Sequence, residues 1–265
     1  MEREYIRASN LYFTAMSKPP LPITPGSSIL ALDTGSPWVS VALAHAAGPN
    51  GEIAAVRAAI MERSSNQVLE MMRAVLVETG VRQAELGGIV ALLGPGSFTG
   101  VRIGLATALG FHQALGIPAT GLSTFEALAV AADAPHGAVT LAAVDALRGD
   151  WSVQAFAAGP SLTPLGAPEI IPSGQIPALF DRLGAPPEGR VVAGFDLGRL
   201  AVLPDWPAKI RLFTPDPQRP LAAVAALRAI DPSLAWDPGS LVAPLYSRPP
   251  AVTLPRPRVL SPNKP

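Results

Sequence analysis

The sequence predicts an α/β fold built from two related subdomains, and three observations support this prediction. Apolar segments short enough for strands alternate with segments of helical periodicity, as in sheets covered by helices. The order strand, aspartate, glycine turn and tryptophan-led strand occurs twice, around Asp33 and around Asp145. A glycine-rich turn joins an apolar segment to a helix within the first half. We therefore expect each subdomain to present an aspartate to a shared cleft, the alternative being a chance likeness of two hairpins.

Local patterns predict the elements of the first half in order. Strands are expected at residues 29–32, 38–42, 53–58 and 89–93, and helices at 66–78 and 101–115. Gly80 and Gly116 follow the two helices, as expected for residues that end a helix in the left-handed conformation. A further helix is predicted to begin at Ser123 as N-cap, with Glu126 completing a capping box three residues later.

The second half is less regular, because residues 160–220 are rich in proline and glycine. Its hairpin pairs residues 141–144 with 151–155. Helices are predicted at 176–183 and 221–230, a strand at 191–195 and an extended segment at 241–246. We expect four regions: a disordered extension (1–28), a first subdomain (29–137), a second subdomain (138–248) and a proline-rich tail (249–265).

Composition excludes several classes of protein and site. The chain has 265 residues, no cysteine and equal numbers of basic and acidic residues. Disulfides, thiolate metal sites and thiol nucleophiles are therefore excluded, and a broad basic surface for nucleic acid is disfavoured. No apolar run approaches the ~20 residues that cross a bilayer, so we expect a cytoplasmic protein without a membrane segment.

The glycine-rich turn, GPGSFTG at residues 94–100, is the strongest candidate for a binding site. A turn that leaves a strand and opens a helix points backbone N–H groups one way and suits an anion. Its spacing matches neither a P-loop nor a dinucleotide fingerprint. A tight structural turn is the alternative. The anion-site or nucleotide-site candidates in this turn are Gly94, Gly96, Ser97, Thr99 and Gly100.

The two hairpins supply the other candidates for that site, which are Asp33, Thr34 and Asp145. Each aspartate follows a strand at a turn, where its carboxylate could orient a phosphate-bound metal or a water. The alternative is an aspartate that caps its own turn. The three histidines lack the spacing of a helical metal pair, and no base stands near Ser97 in sequence. We therefore predict no catalytic residue and no metal ligand.

Several of these motifs resemble one known family. Residues 94–104, GPGSFTGVRIG, closely resemble the signature of the TsaB (YeaZ) family. Supporting matches are LDT at 32–34, GLST at 121–124, DA at 145–146 and PLYSR at 244–248. The likeness spans residues 29–248. Two positions depart from the family pattern: Leu147 stands where an arginine is common, and Ser65 where a histidine is common.

The resemblance implies an actin-like ATPase fold, like that of sugar kinases and Hsp70, with two related subdomains. It implies a non-catalytic partner of the paralogue TsaD. TsaD would transfer a threonylcarbamoyl group from threonylcarbamoyl-AMP to N6 of adenosine in tRNAs that read codons beginning with A. The ATPase TsaE and tRNA would join this assembly. No cofactor is expected for the chain itself, while ATP or ADP in the complex and a homodimer of the isolated chain stay open.

The resemblance also implies pairing through the helix after the first hairpin and the helix after the glycine turn. The apolar arc of the first of these helices is wider than one core contact requires, which favours a partner. Packing within the chain is the alternative. The predicted interface residues are Val68, Leu69, Met72, Val75, Leu76, Arg102 and Ile103. An independent ATP-dependent phosphotransferase of the same fold is the alternative function.

Overall fold

A computed structural model describes residues 24–47, 51–60 and 66–248. Most of the predicted extension (1–23), the tail (249–265) and Ser65 lie outside the described residues. Ser28 was assigned to the extension, but it begins the first strand and pairs with His45, whose Nδ1 lies 3.0 Å from the Ser28 hydroxyl.

The first sheet is formed by strands β1 to β5, with helices α1 and α2 between them in the chain. Their bounds are β1 (Ser28–Asp33), β2 (Trp38–His45), β3 (Glu52–Ile60), α1 (Asn66–Thr79), β4 (Leu86–Leu92), α2 (Phe98–Leu115) and β5 (Ala119–Leu122). Helix α3 (Thr124–Ala131) then leads to the second sheet.

The second sheet is formed by strands β6 to β11. The elements here are β6 (Val139–Asp145), β7 (Asp150–Ala157), β8 (Thr163–Pro164), β9 (Glu169–Pro172), α4 (Ile176–Arg182), β10 (Arg190–Gly194), α5 (Gly198–Ala201), β11 (Arg211–Phe213) and α6 (Leu221–Arg228). A short 3₁₀ helix, Pro238–Val242, follows α6.

Both sheets repeat one topology. The first has the order β3-β2-β1-β4-β5, with β1 antiparallel to β2 and parallel to β4. The second has the order β11-β10-β6-β7-β8, with β6 antiparallel to β7 and parallel to β10, while β9 also pairs with β7. Each half thus has a hairpin on one side of its first strand and two parallel strands on the other. This duplication is the actin-like ATPase fold, and the predicted hairpin repeat is confirmed.

Helices separate and cover the two sheets in layers. Helices α1 and α2 pack on the outer face of the first sheet, and α4 and α5 on the outer face of the second. Helices α3 and α6 share the central core between the sheets. Each of these helices packs on the sheet of the other half: α3 contacts β6 and β10 of the second sheet, and α6 contacts β1 and β2 of the first. The boundary between residues 137 and 138 separates the sheets but not these helices, so the subdomain division stays a prediction.

Serine side chains cap the starts of both α2 and α3, but the capping box predicted for α3 does not form. Helix α2 begins at Phe98, three residues before the predicted start, because Ser97 is its N-cap and accepts from the Gly100 N–H. Ser123 caps α3 by accepting from the Phe125 N–H (3.1 Å). The predicted capping box is wrong, because Glu126 turns to the guanidinium of Arg228 (3.0 Å) instead.

The predicted extended segment at 241–246 is wrong at its start, because Leu241 and Val242 belong to the 3₁₀ helix. Asp237 caps a 3₁₀ helix by accepting from the Gly239 N–H (2.8 Å), and Ser240 Oγ donates to the Asp237 carbonyl (2.6 Å). These local bonds favour a turn over a strand. Within the described residues, no helix is long and apolar enough to cross a membrane.

Candidate functional site

A cleft of about 850 Å³ opens between the corresponding hairpin turns of the two sheets. We call it the inter-sheet cleft. Its walls come from the β1–β2 turn, the glycine turn, the β6–β7 turn, the loop after β10 and the last described residues. The residues that the argument uses are Ser36, Gly96, Ser97, Phe98, Asp145, Arg148, Phe195, Tyr246 and Arg248.

The glycine turn is locked against the β1–β2 turn by close backbone contact. The Ser97 N–H donates to the Gly35 carbonyl at 2.7 Å. A Cβ at Gly96 would lie only 2.4 Å from that same carbonyl oxygen. Since real side chains do not tolerate this distance, glycine is required there for the approach of one backbone to the other. The close packing of a tight structural turn, without a bound anion, therefore explains the glycine at position 96.

Thr34 makes the second contact between these two turns. Its hydroxyl donates to the Gly100 carbonyl at 2.7 Å, within the first turn of α2. A Cβ at Gly104, one helical turn later, would lie 2.3 Å from the same hydroxyl oxygen. Thr34, Gly94 and Gly100 are buried, and they support the cleft wall without lining it.

The start of α2 supplies the part of the glycine turn that faces the cleft. Gly96, Ser97, Phe98 and Thr99 are exposed, and the first three line the cleft while Thr99 does not. The Gly100 N–H is already bonded to Ser97 Oγ (3.3 Å). The anion-binding capacity of this helix start is therefore reduced by its own N-cap and by the Gly35 carbonyl.

Asp33 lies beneath the cleft and does not line it, which corrects the prediction of two aspartates in a shared cleft. Its Oδ1 accepts from the N–H groups of Gly35 (3.0 Å) and Ser36 (3.2 Å). Burial raises the pKa of Asp33 to about 6, against hydrogen bonds from Ser36 and Gly35 that lower it. This is the geometry of a turn-capping aspartate.

Asp145 does line the cleft, and it is engaged on both carboxylate oxygens. Oδ1 accepts from the Leu147 N–H at 2.9 Å, and Oδ2 pairs with the guanidinium of Arg199 at 3.0 Å. Arg199 lies on the short helix α5 and was not among the predicted site residues. Nothing in its local sequence marks it, because the pairing depends on how β6 and β10 lie side by side.

The last described residues also belong to the site, although they were not predicted to do so. Tyr246, Ser247 and Arg248 line the cleft, and Arg248 forms an ion pair with Asp150. A signal was present, because residues 244–248 were among the motif matches. The fold brings this segment back to the cleft from the far end of the chain.

The predicted interface on α1 needs correction. Val68, Met72, Val75 and Leu76 are buried in the core between α1, α2 and the first sheet, so packing within the chain is the right alternative for them. Leu69 stays 51% exposed.

A smaller apolar face remains open beside that core. Val77 is 74% exposed, and it borders a groove of about 630 Å³ together with Leu69, Arg73, Val81 and Phe111. We call this groove and its rim the outer helical face. It is narrower than the predicted arc, and its centre is shifted toward the end of α1.

The two predicted interface residues on α2 differ from each other. Ile103 is half-buried against the core of the first sheet. Arg102 is exposed, but its Nε donates to the Tyr246 hydroxyl (2.9 Å) and its guanidinium lies 3.7 Å from the centre of the Phe98 ring. Arg102 is therefore held by contacts within its own chain. Among the described residues, no group of three potential metal ligands is present.

Comparison with known proteins gives a consistent set of matches. The family model "TsaD: tRNA N6-adenosine threonylcarbamoyltransferase" matches residues 58–156. The tRNA threonylcarbamoyladenosine biosynthesis protein TsaB of Escherichia coli (strain K12) is 34% identical over 123 residues, which is 46% of this chain and 52% of that protein. TsaB of Haemophilus influenzae is 32% identical over 120 residues, 45% of this chain and 49% of that protein. The chain thus spans about half the length of the curated relatives it matches.

The structural match extends further along the chain. The solved structure of YeaZ from Pseudomonas aeruginosa has a TM-score of 0.61 at 26% identity, covering 77% of this chain and 90% of that one. Sequence and fold therefore agree with the motif at residues 94–104: over the matched parts the chain is similar to TsaB (YeaZ) proteins.

Proposed function

We propose that this chain is a non-catalytic partner subunit in the synthesis of threonylcarbamoyladenosine in tRNA. The observation that carries the proposal is the match to TsaB proteins named for that biosynthesis, together with the YeaZ fold. In this proposal the paralogue TsaD transfers the threonylcarbamoyl group from threonylcarbamoyl-AMP to N6 of the adenosine next to the anticodon. The target tRNAs read codons that begin with A.

The state of the cleft supports a role in docking rather than in turnover. Asp33 is sealed beneath the glycine turn, and Asp145 is held by the Leu147 N–H and by Arg199. A carboxylate that positions a metal-bound phosphate needs free oxygen atoms directed at the ligand. Neither aspartate offers both of its oxygens to the cleft in this arrangement.

The outer helical face supports a docking role for α1 and α2. Leu69 and Val77 leave apolar area exposed beside a groove that ends at Phe111. Such area, rimmed by the arginines at positions 73 and 82, is typical of a protein interface. We propose that TsaD covers this face in a heterodimer and that a second copy covers it when the chain is alone.

The remaining components follow from the same proposal. TsaE and tRNA bind the assembled complex, and ATP or ADP binds there without being a cofactor of this chain. The chain acts in the cytoplasm, because its proposed substrate is tRNA.

The test is a reconstituted reaction with TsaD, TsaE, threonylcarbamoyl-AMP and substrate tRNA. The isolated chain is expected to form no modified adenosine, and its addition is expected to stimulate the mixture. Val77→Glu should lose this stimulation, because it replaces apolar contact area with a charge that must lose its water at the interface. Val202→Glu is the matched control, since Val202 is 81% exposed near the second sheet. Absence of stimulation by the unaltered chain contradicts the proposal.

An independent ATP-dependent phosphotransferase is the second candidate. The size of the inter-sheet cleft favours it, because 850 Å³ lies within the range of small-molecule sites. Titration of the isolated chain with ATP and Mg²⁺ separates the two functions. Binding accompanied by turnover supports the phosphotransferase, and the absence of turnover supports the partner subunit.

A further inference from the structure

The last described part of the chain crosses from the first sheet to the second. It begins as a layer on the first sheet, where the Gly121 N–H donates to Ser240 Oγ (2.8 Å) and Thr120 Oγ1 donates to the Ala235 carbonyl (3.0 Å). We call residues 243–248, which follow this layer, the C-terminal strap.

The near end of the strap is fixed to the glycine turn. The Leu245 N–H donates to the Leu93 carbonyl at 2.8 Å. A Cβ at Gly94 would lie 2.5 Å from the Leu245 carbonyl oxygen, so the strap and the glycine turn meet backbone to backbone. This contact requires glycine at position 94, whose φ of +91° also favours it.

The middle of the strap is fixed to the start of α2. The rings of Tyr246 and Phe98 have centroids 4.9 Å apart, and the Tyr246 hydroxyl accepts from Arg102 Nε at 2.9 Å. Phe98 and Tyr246 both line the cleft. The strap therefore closes one side of the cleft while it remains bound to the first sheet and its helix.

The far end of the strap is fixed to the second sheet. The guanidinium of Arg248 pairs with the carboxylate of Asp150, the first residue of β7. Both side chains are about two-thirds buried, so solvent screens this pair less than a fully exposed one. A second contact between the sheets is the edge-to-face pair of Trp38 and Phe195, with centroids 5.7 Å apart.

We propose that the C-terminal strap is a latch that fixes the width of the inter-sheet cleft, and that the Arg248–Asp150 pair closes it. The two sheets already share the central core around α3 and α6, so the relative movement left to them is at the mouth of the cleft, where turns and loops meet. The strap is anchored to the glycine turn at its near end, to α2 at its middle and to the second sheet at its far end. These anchors restrict movement at the mouth of the cleft. The function proposed above does not depend on this inference.

The experiment measures the separation of the two sheets directly. The chain has no cysteine, so Ile60→Cys at the end of β3 and Val202→Cys after α5, both at exposed positions, allow two spin labels to be attached specifically. Pulsed electron paramagnetic resonance on the full chain gives the distribution of distances between the labels. The unaltered strap should give one narrow peak, while Arg248→Gln and Asp150→Asn should each shift and broaden it.

Two further variants decide what such a change means. Arg182→Gln is the matched control, because it removes a comparable ion pair with Glu169 that lies within the second half of the chain. It should leave the narrow peak in place. The double variant Arg248→Asp with Asp150→Arg should restore the peak, since it rebuilds the pair with its charges exchanged.

Three results overturn the proposal: an unchanged distribution in Arg248→Gln and Asp150→Asn, equal broadening by Arg182→Gln, or failure of the charge exchange to restore the peak. Circular dichroism of each variant verifies that it is folded before its distances are compared.

Discussion

The two hairpin turns carry the same sequence pattern and have different environments. At the first turn, Asp33 is buried under the glycine turn, and its carboxylate is used to cap the turn. At the second turn, Asp145 is 35% exposed, lines the cleft and pairs with Arg199. The difference arises after the neighbouring parallel strand, where β4 leads into the glycine turn and β10 into the short helix α5. A repeated motif thus predicts a repeated fold without predicting a repeated site.

The comparison also explains why the two carboxylates do not form one reactive centre. The glycine turn binds the β1–β2 turn through Gly35, Thr34 and Gly96, and it covers Asp33 in doing so. No such contact covers Asp145. The cleft therefore has Asp145 and Asp196 in its wall, and Asp33 lies below its floor.

The largest effect is expected where the glycine turn meets the first hairpin. Gly96→Ala should lower the free energy of unfolding by about 3 kcal/mol or more, because its Cβ would overlap the Gly35 carbonyl. Gly110→Ala is the control, in the helix that follows the glycine turn, because a Cβ there meets nothing within 4 Å. It should be neutral or stabilise by roughly 0.5–1 kcal/mol. Urea denaturation measures both, and equal effects would contradict the sealed first turn.

The next effect is a dependence of folding stability on pH that arises from Asp33 in the first turn. The pKa of Asp33 is about 6 in the folded chain against an ordinary 3.8, so the folded state binds more protons between these values. The contribution of this group to stability is therefore full below about pH 4, falls as pH rises to about 6, and is constant above that.

Asp33→Asn should remove this fall while it keeps an oxygen to accept from Gly35 and Ser36. The free energy of unfolding at pH 7 should rise by up to about 3 kcal/mol, since one pKa unit corresponds to about 1.4 kcal/mol. Asp145→Asn should change stability by less than about 1 kcal/mol, because its carboxylate lines the open cleft and keeps part of its contact with solvent. Denaturation of both variants between pH 4 and 8 checks this, and identical pH profiles would count against it.

A smaller effect is expected at the hydroxyl that joins the two turns. Thr34→Val removes the bond to the Gly100 carbonyl from a buried position and should cost about 1–2 kcal/mol. Thr107→Val removes a bond of the same kind to the Ile103 carbonyl within α2, at a half-buried position. It should cost about 0.5 kcal/mol or less. If Thr107→Val proved the costlier in thermal unfolding, the first turn would not be the tighter contact.

The smallest effect is expected at the second turn. Arg199→Gln removes an ion pair that is largely exposed to solvent, so the change should stay below about 1 kcal/mol. Thermal unfolding at low and high salt measures it. A loss above roughly 2 kcal/mol would mean that Asp145 is held as tightly as Asp33, and the contrast between the turns would fail.

Local chemistry predicted much of this fold. Ser123 and Gly116 mark helix ends correctly because a cap depends on residues within one turn of it. The two hairpins were predictable for the same reason, since each is closed by neighbouring residues.

The parts that the sequence did not predict depend on residues far apart in the chain. Glu126 leaves its capping box for Arg228, about a hundred positions away, and Arg248 reaches Asp150 across the cleft. The prediction that the apolar arc of α1 forms an interface was wrong for most of its residues. Helical periodicity shows how much apolar area a helix has, and not which neighbour covers it. Only the packed structure shows that Leu69 and Val77 stay exposed while the other apolar residues of α1 are covered.

The central proposal is that this chain works through its outer helical face while its cleft does no chemistry. The most direct measurement compares Asp145→Asn with Val77→Glu in the reconstituted reaction with TsaD, TsaE, threonylcarbamoyl-AMP and tRNA. Asp145→Asn should stimulate as well as the unaltered chain, and Val77→Glu should not stimulate. Loss of stimulation in Asp145→Asn with full stimulation by Val77→Glu would contradict the claim.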